Sequence, residues 1–290
     1  MNQVNRNYKS SMFTHLFGEP DKEYELYNAI APGRFPPGTP VKDVTLKDVF
    51  FMDRVNDLSF RVGDKLVIFI EHQSSINENM PLRDLIYCGR IYEMIVATDV
   101  LYSRKRTTIP TPEFYVLYNG EDLFPEKATY RLSELYALPP AGEPALELVV
   151  HVYNVNKGNN EDLVKRSETL DGYVTFVSMA RRNEKDGMSR ATAIKEAIKE
   201  CIEHGILAEY LKKYGSEVYN MLMHEWIWVD AKTVWENEAE ERADSRWQSV
   251  VKDKDSKWQS IVRDKDARWQ SVVEDKDAII AELRARLDKN

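Results

Sequence analysis

Two acidic residues fourteen positions apart, Asp57 and Glu71, carry the clearest chemical signal in this sequence. Residues 65–73 read KLVIFIEHQ. Leu66, Ile68 and Ile70 alternate with Val67 and Phe69, so both faces of a strand here are apolar, as in a central strand covered on both sides. Glu71 continues the Val67–Phe69 face and Gln73 follows on it, which puts two polar groups at the rim of a buried strand. A carboxylate there is costly unless a cation or a partner compensates it.

Asp57 lies on the preceding run, VNDLSFR at 55–61, joined through Gly63-Asp64, a turn pair, so the two runs form a hairpin. A two-residue loop sets Asn56 opposite Glu71. A three-residue loop or a bulge sets Asp57 there, on the same face, and we expect this second register. Two nearby carboxylates suit a magnesium ion that keeps several waters, and such an ion activates water against a phosphate. The plainer reading of acids at strand ends is helix capping or ion pairing.

The elements that must hold these residues can be read from the pattern. Residues 8–17 and 20–31 are helical, the second opening on Pro20 and Asp21, which suit a first turn. A loop rich in Pro and Gly follows at 32–40. After the hairpin, Leu82, Leu85, Ile86, Ile91, Met94 and Ile95 mark a helix over 80–97. Strands are expected at 113–118, stopped by Asn119-Gly120, and at 146–155. Helices follow at 161–181, at 190–204 with Ser189 as N-cap and Gly205 as stop, and at 206–214 and 216–242. The fold class is α/β (α+β), with a core at 1–158, a helical subdomain packed on it at 159–242, and a tail at 243–290.

The tail is a tandem repeat of eleven: RWQSVVKDKDS, KWQSIVRDKDA and RWQSVVEDKDA. Eleven residues close three helical turns, so Trp247, Trp258 and Trp269 and the Val and Ile residues behind them hold one face of a straight or slightly right-handed coiled-coil helix. Such a stripe suits self-association or a partner helix, and a homo-oligomer through this C-terminal helix is expected. Residues 231–290 carry 13 Lys and Arg against 14 Asp and Glu, which argues against a basic nucleic-acid arm.

The whole chain, 290 residues with a net charge of -8 and 43% hydrophobic residues, is globular and is not an evenly basic nucleic-acid coat. No apolar run approaches a membrane span and the start lacks a signal segment, so a cytoplasmic protein without membrane contact is expected. Cys88 and Cys201 make neither a disulfide framework nor a zinc site. His72 points away from Glu71 in a regular strand, while His15, His151, His204 and His224 have no metal-ligand spacing. Phosphate-binding glycine loops are absent.

Asn56-Asp57-Leu58-Ser59-Phe60, Ile70-Glu71-His72-Gln73-Ser74, Pro81-Leu82-Arg83 with Tyr87, and TTIPTPEFYVLYNG at 107–120 together resemble the recombination-promoting nuclease (Rpn) family of the PD-(D/E)xK superfamily, over roughly 8–225. The resemblance implies an αβββαβ restriction-endonuclease-like core, one strand more than the pattern above. It also implies a magnesium- or manganese-dependent DNA endonuclease linked to recombination, transposition or phage defence. Carried over, Asp57 and Glu71 ligate the metal, and Gln73 takes the place of the superfamily's lysine, a departure because a neutral amide only orients water or ligand.

Arg83, at the start of the next helix, either supplies the missing positive charge or makes an ordinary salt bridge; Tyr87 either supports it or packs. Glu23 and Glu25 are candidates for an additional acid on the first core helix, with solvent exposure the simpler expectation. DNA binding by an acidic body further requires cations such as Arg83, Arg90, Arg104, Lys105 and Arg106 to gather at the site. The alternative function is an inactive nuclease fold that acts as an interaction module through its tail.

Overall fold

The computed structural model describes residues 11–45, 57–63 and 65–287. Asn56 and Asp64 of the expected hairpin, and residues 8–10 of the expected first helix, lie outside them. The chain divides into two compact units between Val229 and Asp230.

In the first unit, helices α1 (Met12–Phe17) and α2 (Pro20–Ile30) lead into strands β1 (Val41–Asp43), β2 (Leu58–Val62) and β3 (Leu66–Gln73). Helices α3 (Met80–Ile95) and α4 (Thr98–Leu101) follow, then strands β4 (Thr111–Tyr118), β5 (Lys127–Arg131) and β6 (Val149–Asn154). Helices α5 (Glu161–Val164), α6 (Glu168–Lys185) and α7 (Arg190–Glu203) precede α8 (Ala208–Leu287). The sheet order is β1-β2-β3-β4-β6-β5, antiparallel at β1-β2, β2-β3 and β5-β6 and parallel at β3-β4 and β4-β6.

β1 and β5 are the strands the pattern does not announce, and both lie at sheet edges. Short edge strands carry charge to avoid edge-to-edge pairing, which erases the apolar alternation that marks inner strands. Lys127 and Arg131 do this on β5, and β1 is only three residues long. With β1 in place, the order from α2 to β4 reads helix, three strands, helix, strand, with only the short α4 between.

β3 is the central strand that its sequence predicts. Leu66, Ile68 and Ile70 face a core built with α1, α2, α6, α7 and the first turns of α8, where Phe13, Tyr173 and Phe176 are buried. Val67 and Phe69 face a second core with Met80, Tyr87, Cys88 and Ile91 of α3. The buried stripe of α3 therefore runs through Met80, Asp84, Tyr87, Cys88 and Ile91, whereas Leu82, Ile86 and Met94 of the expected stripe are exposed. The turn into α3 fixes this phase, because Met80 and Pro81 enter the core first.

The helix expected at 161–181 is two, α5 and α6, separated where Ser167 caps α6 by accepting from the Leu170 N–H at 3.0 Å. The two helices expected at 206–242 are one. Gly215 does not interrupt α8, and a Cβ there would meet only Ile198 at 3.5 Å, an ordinary contact. In the second unit the repeat is helical throughout, and Trp247, Trp258 and Trp269 are 66%, 65% and 68% exposed. Among the described residues no helix is long and apolar enough to cross a membrane.

Candidate functional site

β2 and β3 pair with Val62 opposite Leu66 and Leu58 opposite Ile70. Three residues, 63–65, therefore make the loop, and Gly63 adopts φ +55° within it. One step beyond Leu58 this register brings Asp57 level with Glu71. The contacts are reciprocal: the Asp57 N–H donates to Glu71 Oε1 at 3.4 Å, and the His72 N–H donates to Asp57 Oδ2 at 2.7 Å.

The pair is short of compensation. Burial drives the Glu71 carboxyl well above its ordinary range, and the negative charge of Asp57 adds to the shift while Arg83 opposes it. Asp57, half-buried at the strand end, is pushed up to about 6, chiefly by burial, against the His72 N–H and the charge of Arg83. One guanidinium serves both. Arg83 Nη2 lies 3.2 Å from Glu71 Oε2 and 3.2 Å from the Tyr87 hydroxyl, and its Nη1 lies 3.5 Å from Met80 Sδ.

Arg83 thus makes the salt bridge of its plainer reading, with Glu71 of the acid pair as its partner. Tyr87 serves twice, since its ring is buried and its hydroxyl accepts from Arg83. Gln73 lies on the same face as Glu71, and its Nε2 is 2.7 Å from Met80 Sδ. That amide is turned toward the root of α3.

A third carboxylate escaped the sequence reading. Asp84 is 1% exposed, its Oδ1 has no hydrogen-bond partner among the described residues, and burial raises it to about 7 against the pull of Arg83. Its negative charge also raises Glu71. The available signal was its spacing: Met80, Asp84, Tyr87, Cys88 and Ile91 recur on one helical face, and Asp84 is the acid among them.

Glu23, expected to face solvent, is fully buried and lines a recess of about 470 Å³ together with Asp57, Asp43 and Glu19. Glu25 is not a site residue. It accepts from Lys22 Nζ at 2.7 Å, Ser167 Oγ at 2.6 Å, and the Thr169 N–H and Oγ1 at 3.0 Å each, joining α2 to the start of α6.

His72 lies on the opposite face of β3, stacked on Phe13, with Nε2 2.8 Å from the Tyr173 hydroxyl. Burial and then the charge of Arg181 push it down to about 3, so at neutral pH it is uncharged. Of the expected cation cluster, Arg83 stands at the acid pair. Arg104, Lys105 and Arg106 are exposed and lead into β4, whose Thr111 pairs with Leu66 at the far end of β3.

Asp57 and Glu71 offer hard oxygen ligands whose mutual repulsion a divalent cation would relieve, so the donor set fits magnesium or manganese in chemical type. Among the described residues no group of three or more His, Cys, Asp and Glu side chains is arranged to hold an ion, so water would have to complete the shell. Compared with family models, characterised proteins and solved structures, the chain matches none.

Proposed function

We propose that this chain is a metal-dependent DNA endonuclease of the PD-(D/E)xK class, of the recombination-promoting nuclease family, acting in the cytoplasm on mobile or invading DNA. The observation that carries this reading is the register that sets Asp57 against Glu71 at the end of the central strand, with one arginine between three raised carboxyls. The helix, three-strand, helix, strand order from α2 to β4 supports the same fold class.

Asp57 and Glu71 would hold magnesium, which when bound supplies an activated water and positive charge for a backbone phosphate. The His72 N–H fixes the Asp57 carboxylate, and Tyr87 holds the Arg83 fork against Glu71. Arg83, held beside Glu71 by Tyr87, carries N–H groups of the kind that would bind a backbone phosphate next to an ion held by Asp57 and Glu71. Gln73 has no charge to give and orients water or ligand instead. Glu23, buried in the recess that Asp57 lines, is positioned as the additional acid on the first core helix.

Plasmid nicking with magnesium tests this. Wild type should nick, and Asp57→Ala and Glu71→Ala should not. Equal nicking by all three ends the assignment.

The second reading, an inactive nuclease fold working as an interaction module, is favoured by Gln73 lying on Met80 and by the basic triplet 104–106 entering at the far end of β3. Magnesium binding by calorimetry separates the two, since the module reading predicts none. In either reading the tail assembles copies of the chain through its Trp stripe. Replacing Trp247, Trp258 and Trp269 by Glu should turn an oligomer into a monomer in sedimentation, and an unchanged mass would overturn this.

A further inference from the structure

A second cavity, of about 680 Å³, opens at the carboxyl ends of the parallel strands β4 and β6 and is walled by one face of α6. It lies on the His72 face of the sheet, opposite the face that Glu71 occupies, and the nuclease reading makes no use of it. Carboxyl ends of parallel strands are where open α/β sheets hold ligands, and the volume is that of a small-molecule site.

Its lining has three parts. Val174 and Val177 of α6 are its apolar part, and Phe124, which packs on Tyr118, lines it from the turn after β4. Arg181 and Lys185, one turn apart on α6, share a single counter-ion, Glu121, at 3.6 Å and 3.3 Å. Arg181 is largely buried and further held by Asn156 Oδ1 at 3.1 Å, whereas Glu121 and Lys185 are well exposed.

At the inner end stands Asn119, 5% exposed, whose Nδ2 donates to Tyr173 at 2.9 Å and whose buried Oδ1 has no hydrogen-bond partner among the described residues. The turn that places it depends on Gly120, where a Cβ would lie 2.2 Å from the Ser74 carbonyl. Asn154 and Asn156 are committed to the frame: Asn154 Nδ2 donates to the Phe124 carbonyl, and Asn156 Nδ2 to Gly120 O and Asn154 Oδ1.

We propose that this cavity binds a nucleoside monophosphate. The phosphate displaces Glu121 and takes the Arg181–Lys185 pair, and the base lies toward the apolar Val174 and Val177. An exposed carboxylate bridging two cations is readily exchanged for a dianion, which makes stronger charge-assisted bonds to the same donors. The cavity has room for one nucleotide, supplied either free or as the 5′-phosphorylated end of a strand.

Calorimetry on the full chain with deoxyadenosine monophosphate, inorganic phosphate, deoxyadenosine and a 5′-phosphorylated single strand tests the site. The mononucleotide should bind more tightly than phosphate or nucleoside alone, and the strand arm distinguishes a free nucleotide from a strand end. Glu121→Gln, at an exposed position, should tighten binding about threefold or more by removing the competing anion, and Lys185→Glu should weaken it about tenfold.

Asp57→Ala and Glu71→Ala should leave binding unchanged, which separates this site from the acid pair. No binding of the mononucleotide at millimolar concentration, equal affinity for inorganic phosphate, or no effect of Glu121→Gln would overturn the proposal.

Discussion

Glu25 and the Asp57–Glu71–Asp84 group show two opposite ways of placing carboxylates inside one protein. Burial would raise Glu25, but donors from Lys22, Ser167 and Thr169 outweigh it and hold its carboxyl below the ordinary range. Among the described residues the other three share one arginine and two backbone N–H groups, and burial leaves all of them raised. A saturated carboxylate acts as a joint between helices. An unsaturated cluster costs stability, and perturbed groups of this kind gather at functional sites, which is the ground for proposing that this one binds a cation.

The largest expected effect falls on activity. Glu71→Ala or Asp57→Ala should lower magnesium-dependent nicking at least about a hundredfold, measured as initial rate. Glu25→Ala should leave the rate unchanged. Loss of activity in Glu25→Ala at a temperature where it is folded would erase the contrast.

Stability should show the reverse order. Glu25→Ala removes the acceptor for Ser167 and Thr169 and should cost about 2–3 kcal/mol in denaturant unfolding at pH 7. Because the Glu25 carboxyl is lowered, its contribution is present above the ordinary Glu range and is lost as pH falls through its folded value.

Magnesium sharpens the comparison from the ligand side. At a hundred times its dissociation constant it should stabilise wild type by about 2.7 kcal/mol and Glu71→Gln by much less. Equal stabilisation of both would place the ion elsewhere.

The smallest effect is expected at Asp84, and its pH dependence runs opposite to that of Glu25. With its folded value at about 7, above that of an unfolded Asp, the fold holds more protons than the unfolded chain between pH 4 and 7. Wild-type stability from this group is therefore full at low pH and lost as pH rises through 7. Asp84→Asn, lacking that loss, should gain on the order of 1–2 kcal/mol over wild type at pH 8 and nothing at pH 4. A gain independent of pH would sink this account.

Much of this was legible in the residues. Alternation in 66–70 marked β3 as central because both its faces are covered, and the polar rim at Glu71 and Gln73 followed from the same count of two. Ser189 and Gly205 bounded α7 through capping and a left-handed turn, which are local rules. β1 and β5 were hidden because edge strands are short and charged. Asp84 was hidden because the apolar residues of α3 mark the wrong face: Leu82, Ile86 and Met94 are as apolar as the core, and only the entry of Met80 and Pro81 sets the helix phase.

The chain by itself determined its inner strands, its helix caps and the eleven-residue phase of its tail, since each follows from periodicity and backbone chemistry within a few residues. Tertiary structure decided the rest. Whether Asp57 meets Glu71 turned on one residue of hairpin loop, and a slip of one would have sent it to the other face. That Glu23 is buried and Glu25 is a joint depended on where α6 packs. Likewise Asn119, Arg181 and Lys185, distant in sequence, line one cavity only because parallel strands end beside a helix. Compensation of charge is a sum over neighbours that lie far apart along the chain, and only the fold supplies those neighbours.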